Sequence, residues 1–331
     1  MEEEVSVLMV VYNHEKWLEK AILSIINQVT EYKFCLYIHD DCSTDQSRNI
    51  IENYARKYPE IIVPVFAKKN RLSRGISPFV QILLPMAKGK FVMCCEGDDY
   101  WVDNKKIQKQ IDYLKNNLEC RFCFGNAMRI DTEGNYLKTF FPEKRWRDKS
   151  INKKMALKKD AFFSMEEMIL LDFIPTAGIC GYKEDMLMAS SFTYCLDITI
   201  RLVCASQGNY IYYFNDIFSA YRTGNNMSAS GSIRHSKDKM MEDFYSKHRK
   251  ILEEFDEFTR KKYHEVIYHE IERKYLLVYL NTDFRNSLKQ KRFCELPIEK
   301  IIKEVGRNYF SKLFVILKRL KYKHSKISNY I

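Results

Sequence analysis

The chain has 331 residues, of which 46% are hydrophobic, and a formal net charge of +11 at pH 7. This length and apolar content predict a globular protein with one large domain, or one domain and an appendage. No apolar run approaches the ~20 residues that cross a bilayer, and Glu2, Glu3 and Glu4 stand where a secretory signal would be basic. We therefore expect a soluble or peripheral protein, whose positive charge alone does not choose among nucleic acid, anionic membrane and anionic substrate.

Four apolar runs near the start predict β-strands: Val5 to Val11, Phe34 to Ile38, Ile61 to Phe66 and Lys90 to Cys95. The segments between and after them predict helices: one capped by Asn13, one opened by a capping box at Ser43 to Gln46, one over Phe79 to Ala87 and one capped by Asp103. This alternation predicts a Rossmann-like α/β fold, with a mostly parallel sheet and helices on both faces.

Two pairs of adjacent aspartates follow strands of the predicted sheet. Asp40 and Asp41 follow the second strand, and Asp98 and Asp99 follow the fourth. Because the carboxyl ends of parallel strands meet at one edge, these carboxylates should point into one crevice. Mg²⁺ or Mn²⁺ takes one or two protein carboxylates and completes its shell with water and phosphate oxygens. The sequence therefore predicts a metal and diphosphate site, although it has neither G-x-G-x-x-G after the first strand nor a P-loop.

The cysteines give little sign of a metal site. The chain has ten of them, and the spacing Cys120-x-x-Cys123 has no second CxxC to complete a zinc site. We expect free thiols in a reducing cytosol, with half a zinc site at Cys120 and Cys123 as the minor alternative.

The second half of the chain mixes strands and helices. A hairpin is predicted from Phe122 to Ile130 and Tyr136 to Phe141, followed by a basic loop from Glu143 to Asp160. Further elements are predicted as helices over Ser164 to Leu171 and Asp197 to Gln207, and as strands over Ala177 to Tyr182, Tyr210 to Phe214 and Ile217 to Tyr221.

Beyond about residue 230 the sequence becomes charged and helical, with helix predicted from His235 to Lys291 and again from Ile298. The last helix has one apolar stripe flanked by lysines and arginines: Ile302, Val305, Tyr309, Leu313, Ile316 and Leu320. Such a helix suits either an anionic membrane surface or docking on protein, and both interpretations stay open. We expect two parts, residues 1–230 and 231–331.

Three segments together resemble the successive motifs of glycosyltransferase family 2, which has the GT-A fold. They are Val5 to Asn13, Asp40 to Asp45 and Glu96 to Trp101, in the right order and spacing. The resemblance continues through Leu196-Asp197-Ile198 and ends near Tyr221-Arg222. The combination is specific although each motif alone is weak.

The resemblance implies roles for particular residues. Residues that would bind the donor nucleotide are Val11, Tyr12, Asn13, Asp41 and Asp98. Asp99 would hold Mn²⁺ or Mg²⁺ at the donor diphosphate, and Asp197 would be the catalytic base. Arg222 is a candidate contact of the diphosphate, and Trp101 a candidate for stacking on a sugar, with simple packing equally open for the tryptophan. Asp197 has the alternative of an ordinary helix N-terminal carboxylate.

The sequence departs from the usual family pattern in three places. Cys42 stands where a glycine commonly follows the paired aspartates, which leaves the donor preference open. Arg222 is followed by Thr223 and Gly224 rather than by the usual histidine, so a metal role for that histidine has no support. The segment Asn70 to Phe79 lacks the usual run before the metal motif.

Taken together, the sequence predicts a metal-dependent, inverting glycosyltransferase of the hexosyltransferase type. We expect a nucleoside diphosphate sugar donor, UDP-linked, and a glycan or lipid-linked glycan acceptor of a bacterial surface polysaccharide. The expected location is the cytoplasm, with an anionic membrane surface and a homo-oligomer as further contacts. The alternatives are a nucleotidyltransferase, which also uses two carboxylates and a metal, and a basic module that binds nucleic acid or anionic lipid.

Overall fold

The computed structural model describes residues 2–139, 151, 154, 157–171, 174–224 and 239–272. By compactness the chain divides into one unit made of Met1–Ser232 and Lys250–Ile267 and a second made of Ile233–Arg249 and Tyr268–Ile331. The predicted helix from Ile298 and most of the loop predicted from Glu143 to Asp160 lie outside the described residues. Within the described residues, no helix is long and apolar enough to cross a membrane.

The strands of the described part of the chain form one sheet. They are β1 (Val5–Val11), β2 (Phe34–Asp40), β3 (Ile62–Phe66), β4 (Phe91–Cys94), β5 (Tyr100–Trp101), β6 (Cys120–Ile130), β7 (Tyr136–Thr139), β8 (Ala161–Phe163), β9 (Ile179–Tyr182) and β10 (Tyr210–Arg222). Their order is β3-β2-β1-β4-β9-β6-β10-β5, with β7 beside β6 and β8 beside β10.

Strand direction divides this sheet into two parts. The strands β3, β2, β1 and β4 are parallel to their neighbours, as the alternation of strand and helix predicts. Beyond β4 the sheet is mixed, because β9 is antiparallel to both β4 and β6 while β10 is parallel to β6. The predicted α/β class is confirmed. The parallel part brings the carboxyl ends of β1, β2 and β4 to one edge.

The α-helices of the described residues are α1 (Leu18–Ile26), α2 (Ser47–Lys57), α3 (Leu84–Met86), α4 (Lys106–Asn116), α5 (Met165–Leu170), α6 (Lys183–Met188), α7 (Asp197–Ser206) and α8 (Lys239–Phe258). A further helical stretch covers 264–272. The predicted helix over 79–87 is a π-helical turn, Phe79–Leu83, that continues into α3.

Strand β1 forms the centre of the core. Its apolar run is buried along nearly its whole length, as expected for a strand covered on both faces. The same core cluster contains four fully buried residues of α1: Leu18, Ala21, Ile22 and Ile25. Burying each leucine or isoleucine of this set stabilises the fold by roughly 1.5–3 kcal/mol, so the packing of α1 holds β1 in a fixed position.

Three predictions about local structure are wrong. Asn13 does not cap α1, which begins at Leu18 after Trp17. The capping box at Ser43 to Gln46 does not form, since α2 begins after Gln46 without a side-chain cap. The two strands predicted from Tyr210 to Tyr221 are one strand with a register shift after Phe214. The predicted hairpin is confirmed, because β6 pairs with β7 antiparallel.

Candidate functional site

The loops after β1 and β2 are joined by hydrogen bonds between their backbones and side chains. The Asn13 backbone N–H donates to Ser43 Oγ at 3.0 Å, and Asn13 Oδ1 accepts from the Thr44 backbone N–H at 2.8 Å. The His14 N–H donates to Ser47 Oγ at 2.9 Å. Asn13 has a φ of 56°, a left-handed conformation that asparagine tolerates better than most residues. These bonds explain why neither Asn13 nor Ser43 is free to cap a helix.

Asp41 lies under the loop that follows β3. Its two carboxylate oxygens accept from the backbone N–H groups of Arg71, at 2.7 Å, and Leu72, at 3.1 Å. His39 Nε2 lies 3.3 Å from the same carboxylate. The Asn70 side chain donates to the Asp41 carbonyl oxygen at 3.1 Å. Asp41 is 2% exposed, so its carboxylate anchors this loop from inside the protein.

The acidic loop, residues 96–99, continues from β4 beside β1. The Cys95 N–H donates to the Leu8 carbonyl oxygen at 3.1 Å, and the Gly97 N–H donates to the Val10 carbonyl oxygen at 3.2 Å. Asp98 is 9% exposed and Asp99 is 3% exposed. Backbone contacts with β1 therefore hold two carboxylates close together at the carboxyl edge of the sheet.

The carboxyl groups of the acidic loop repel one another. Burial, followed by the neighbouring Asp98 and Asp197 carboxylates, raises the pKa of the half-buried Glu96 from its ordinary 4.5 to about 8. Burial and Asp98 also raise the pKa of Asp99 well above its ordinary range, against the opposing effect of the N–H that Arg222 donates. Crowded carboxylates in a poorly solvated place are groups that a bound cation would stabilise.

Arg222, the last residue of β10, holds the acidic loop in place. Its backbone N–H donates to Asp99 Oδ1 at 2.8 Å, and its Nε donates to the Asp98 carbonyl oxygen at 2.9 Å. Its Nη1 donates to the carbonyl oxygens of Asp131 and Thr132 at 2.8 and 3.0 Å. Trp17 binds the same turn, with Nε1 donating to the Thr132 carbonyl oxygen at 3.1 Å. Arg222 thus joins the acidic loop to the β6–β7 hairpin.

His14 and Gly97 bring the β1 loop and the acidic loop into contact. His14 Nε2 lies 4.0 Å from Asp98 Oδ2, and burial lowers the pKa of His14 below its ordinary value despite that neighbour. A Cβ atom added at Gly97 would lie 2.7 Å from His14 Nδ1 and 2.9 Å from Val11 Cγ2. The residue between Glu96 and Asp98 therefore has no room for a side chain.

Asp197 is the first residue of α7 and is half-buried. Its carboxylate is close enough to Glu96 to raise that residue's pKa, although the two residues are far apart in the sequence. A helix N-terminus also favours a carboxylate through the helix dipole. The structure thus places Asp197 near the acidic loop, while its role as the catalytic base stays a prediction.

Trp101, Val11 and Tyr12 differ in exposure. Trp101 is 3% exposed within the main hydrophobic core, where its Nε1 donates to the Cys94 carbonyl oxygen at 3.3 Å and Lys106 Nζ lies 4.2 Å from the ring centre. The ring therefore packs in the core, which is the alternative to sugar stacking that the sequence left open. Val11 is fully buried and Tyr12 is half-buried.

Sequence reasoning missed three features of this site. Glu96 lies inside a quoted motif and His14 directly follows one, but only the structure shows that Asp197 raises the pKa of Glu96 and that His14 faces Asp98. The segment with Arg71 and Leu72 stands out in the sequence only as a departure from the family pattern. Its contact with Asp41 is made by backbone N–H groups, so no residue type in the sequence indicates it.

The acidic residues of the site fit a divalent metal only in part. In the described part of the chain, no group of three or more His, Cys, Asp or Glu side chains could hold a metal ion. Mg²⁺ or Mn²⁺ usually takes only one or two protein carboxylates and completes its shell with water and phosphate oxygens. Asp98 and Asp99 are the residues that fit this limited role, because their mutual repulsion would be relieved by the cation.

Two relatives illustrate how far the sequence likeness extends. The chain is 34% identical over 152 residues to the uncharacterized protein Rv1520 of Mycobacterium tuberculosis. The matched segment covers 46% of this chain and 43% of the relative. The chain thus spans less than half the length of that relative. It is 25% identical over 235 residues to the putative teichuronic acid biosynthesis glycosyltransferase TuaG of Bacillus subtilis, covering 70% of this chain and 84% of TuaG.

Two solved structures share the fold. The structure of S. aureus TarS 1–349 in complex with UDP-GlcNAc has a TM-score of 0.54 and 17% identity, covering 92% of this chain and 80% of TarS. The mannosyltransferase PcManGT of Pyrobaculum calidifontis, in complex with GDP-Man and Mn²⁺, has a TM-score of 0.54 and 14% identity, covering 97% and 88%. The expected fold is confirmed. The sequence profile of glycosyl transferase family 2 matches residues 6–173, half of the chain, and the protein belongs to that family.

Proposed function

We propose that the protein is a metal-dependent, inverting glycosyltransferase. It would move a sugar from a nucleoside diphosphate sugar, UDP-linked, to a hydroxyl of a glycan or lipid-linked glycan. One observation carries the proposal: Asp98 and Asp99 are buried together in the loop after β4, and Asp197 is near enough for its charge to raise the pKa of Glu96 in the same loop. Membership of glycosyl transferase family 2 supports the same reaction class.

The acidic loop would hold the cation and the diphosphate. A divalent cation at Asp98 and Asp99 would stabilise the negative charge that develops on the departing diphosphate. Arg222 would position these carboxylates, because its side chain is committed to the carbonyl oxygens of Asp98, Asp131 and Thr132. Preorganised contacts of this kind lower the reorganisation that the reaction requires.

Asp197 would take the proton of the acceptor hydroxyl as it attacks the sugar. A carboxylate within hydrogen-bond reach of that hydroxyl makes it a better nucleophile. A single displacement by the hydroxyl inverts the configuration at the sugar carbon, as a base on the face opposite the leaving group does in inverting glycosidases. The position of Asp197 at the start of α7, beside the acidic loop, supports this role.

The donor and acceptor classes are supported by similar proteins. TarS was solved with UDP-GlcNAc and PcManGT with GDP-Man and Mn²⁺, which supports a sugar nucleotide and a divalent cation for this chain. TuaG is named as a putative teichuronic acid biosynthesis glycosyltransferase, which supports a growing glycan as the acceptor for this chain. The loops after β1 and β2, with Asn13 and Asp41, would border the nucleotide.

A ligand screen tests the donor and the cation together. Melting temperature would be measured with UDP-, GDP- and dTDP-sugars, each with and without Mn²⁺, because a ligand that binds the folded state raises it. We expect the largest rise with a UDP-sugar and Mn²⁺ together. A rise with another base would correct the donor, and no response to any sugar nucleotide with the cation would contradict the proposal.

The role of Asp197 is tested by Asp197→Asn. We expect the donor-induced rise in melting temperature to remain, while sugar transfer falls by roughly 10²–10⁴-fold, the usual contribution of a general base. Asp216→Asn is the matched control, since Asp216 is half-exposed and pairs with Lys109 on the surface. Near-normal transfer by Asp197→Asn would remove this assignment.

A further inference from the structure

We propose that the loop after β3, residues 68–74, is a contact site for an anionic lipid bilayer. This loop, here called the basic loop, contains the cations Lys68, Lys69, Arg71 and Arg74. In their midst lies Leu72, whose residue surface is 59% exposed. The inference goes beyond the glycosyl transfer proposed above and does not depend on it, since it concerns binding to a surface in the absence of a sugar nucleotide.

In the described part of the chain, no carboxylate pairs with a cation of the basic loop. Lys68, Lys69 and Arg74 are exposed and Arg71 is half-buried. Within the residues that the structure describes, none of the four forms an ion pair, whereas Lys109, Lys115 and Lys154 each pair with a carboxylate. Four uncompensated positive charges within seven residues therefore attract an anionic partner.

The basic loop is held in a defined shape. Asp41 binds the backbone N–H groups of Arg71 and Leu72, and Asn70 Oδ1 accepts from the Ser73 N–H at 2.8 Å. The Arg74 N–H donates to the Arg71 carbonyl oxygen at 2.9 Å. Because the backbone is already ordered, binding through this loop costs less conformational entropy than binding through a flexible tail.

Leu72 favours a bilayer over a soluble polyanion. A nucleic acid or polyphosphate chain needs only the positive charges, and it gains little from an exposed leucine. A bilayer offers both an anionic surface for the cations and an apolar layer below it for the leucine. Each cation near an anionic leaflet strengthens binding about fivefold, which corresponds to about 1 kcal/mol.

The position of the basic loop links it to the crevice. The chain leaves β3 with the Ala67 N–H donating to the Asp40 carbonyl oxygen at 2.9 Å, so the loop starts at the same sheet edge as the aspartates. A bilayer bound there would lie at the edge of the sheet that carries Asp98 and Asp99. If the proposed transfer occurs, this arrangement suits an acceptor carried on a lipid.

Vesicle sedimentation tests the inference with the whole protein. Binding would be measured with phosphatidylcholine vesicles, with and without phosphatidylglycerol, at fixed salt. We expect binding only to the anionic vesicles. Lys68→Glu with Lys69→Glu should weaken it by at least about 25-fold, because two cations at about fivefold each are removed. Leu72→Ser should weaken it by about tenfold through the lost apolar burial.

The matched control is Lys88→Glu with Lys90→Glu, which makes the same change of net charge next to the start of β4, at the opposite edge of the sheet. We expect this variant to bind anionic vesicles nearly as well as the unchanged protein. Melting temperatures of all variants would establish that they are folded. Equal losses in the two double variants, or no binding of the unchanged protein, would overturn the proposal.

A soluble polyanion provides the last arm of the test. Inorganic polyphosphate should compete with vesicles only weakly if Leu72 enters the bilayer. If Leu72→Ser leaves vesicle binding unchanged while polyphosphate displaces the protein fully, the loop binds phosphate charge alone and the bilayer assignment is wrong.

Discussion

Asp41 directly follows β2 and Asp99 lies in the loop after β4, two strands that flank β1 and run parallel to it. The two aspartates are almost equally buried, at 2% and 3% exposure, yet their surroundings are opposite. Asp41 accepts two backbone N–H groups from Arg71 and Leu72 and lies beside His39. Asp99 accepts one N–H, from Arg222, and its pKa is raised by burial and by Asp98 and Glu96. Because the two carboxylates are equally buried, they differ in their hydrogen-bond donors and charged neighbours.

This contrast separates two uses of a buried carboxylate. A carboxylate whose oxygens are filled by donors of the protein itself stabilises the fold, because the hydrogen bonds replace its lost hydration. A carboxylate crowded by like charges costs stability until something positive binds. Asp41 belongs to the first kind, and we infer that Asp99 belongs to the second. Three experiments test this distinction.

The largest effect is expected for Asp99→Asn. Sugar transfer should fall by roughly 100- to 1,000-fold, since a preorganised electrostatic contact is lost. The stability of the protein without ligands should stay the same or rise, because a crowded buried charge is removed. Transfer assays and urea unfolding would measure the two effects. A clear loss of stability with normal transfer would place Asp99 with Asp41 as a structural residue.

Asp41→Asn should instead lower the stability of the protein. The asparagine can accept one of the two backbone N–H groups but presents an amide to the other, which leaves a buried donor unpaired. We expect the free energy of unfolding to fall by about 1–3 kcal/mol, measured by urea unfolding. Asp216→Asn, on the surface beside Lys109, should cost less than about 1 kcal/mol. Equal small losses in both variants would contradict the anchoring role of Asp41.

The smallest effect is a pH dependence. Between pH 4.5 and about 8 the folded protein keeps a proton on Glu96 that the unfolded chain has lost. The free energy of unfolding should therefore fall as the pH rises through this window. Glu96→Gln should flatten that slope, although Glu96 is half-buried and water weakens the effect. Melting temperatures across the window would measure it, and an unchanged slope in the variant would contradict the crowding.

Local patterns in the sequence predict a large part of this fold. The apolar runs of β1, β2 and β4 are visible because a strand covered on both faces is apolar along most of its length, and the hairpin of β6 and β7 is visible because a short polar turn separates two strand-like runs. The capping predictions at Asn13 and Ser43 failed because each side chain has a partner in the other loop. Such partners are distant in sequence, and propensity alone does not reveal them.

In the candidate site, too, some features can be predicted from the sequence and others cannot. The aspartates were found because paired carboxylates after a strand are unusual, and Asp197 was found through the family resemblance. The commitment of Arg222 to three carbonyl oxygens and the enclosure of Trp101 in the core depend on how β10 and α4 pack. These contacts depend on tertiary packing, which the spacing of residues along the chain does not show directly.

Gly97 has a consequence for how this crevice can vary. With His14 Nδ1 at 2.7 Å and Val11 Cγ2 at 2.9 Å from where a Cβ would stand, even alanine would force one wall of the crevice to move. The distance between the acidic loop and the end of β1 therefore depends on the absence of a Cβ atom at Gly97. Any substitution at position 97 would therefore have to be accompanied by a displacement of His14 or Val11 at the end of β1.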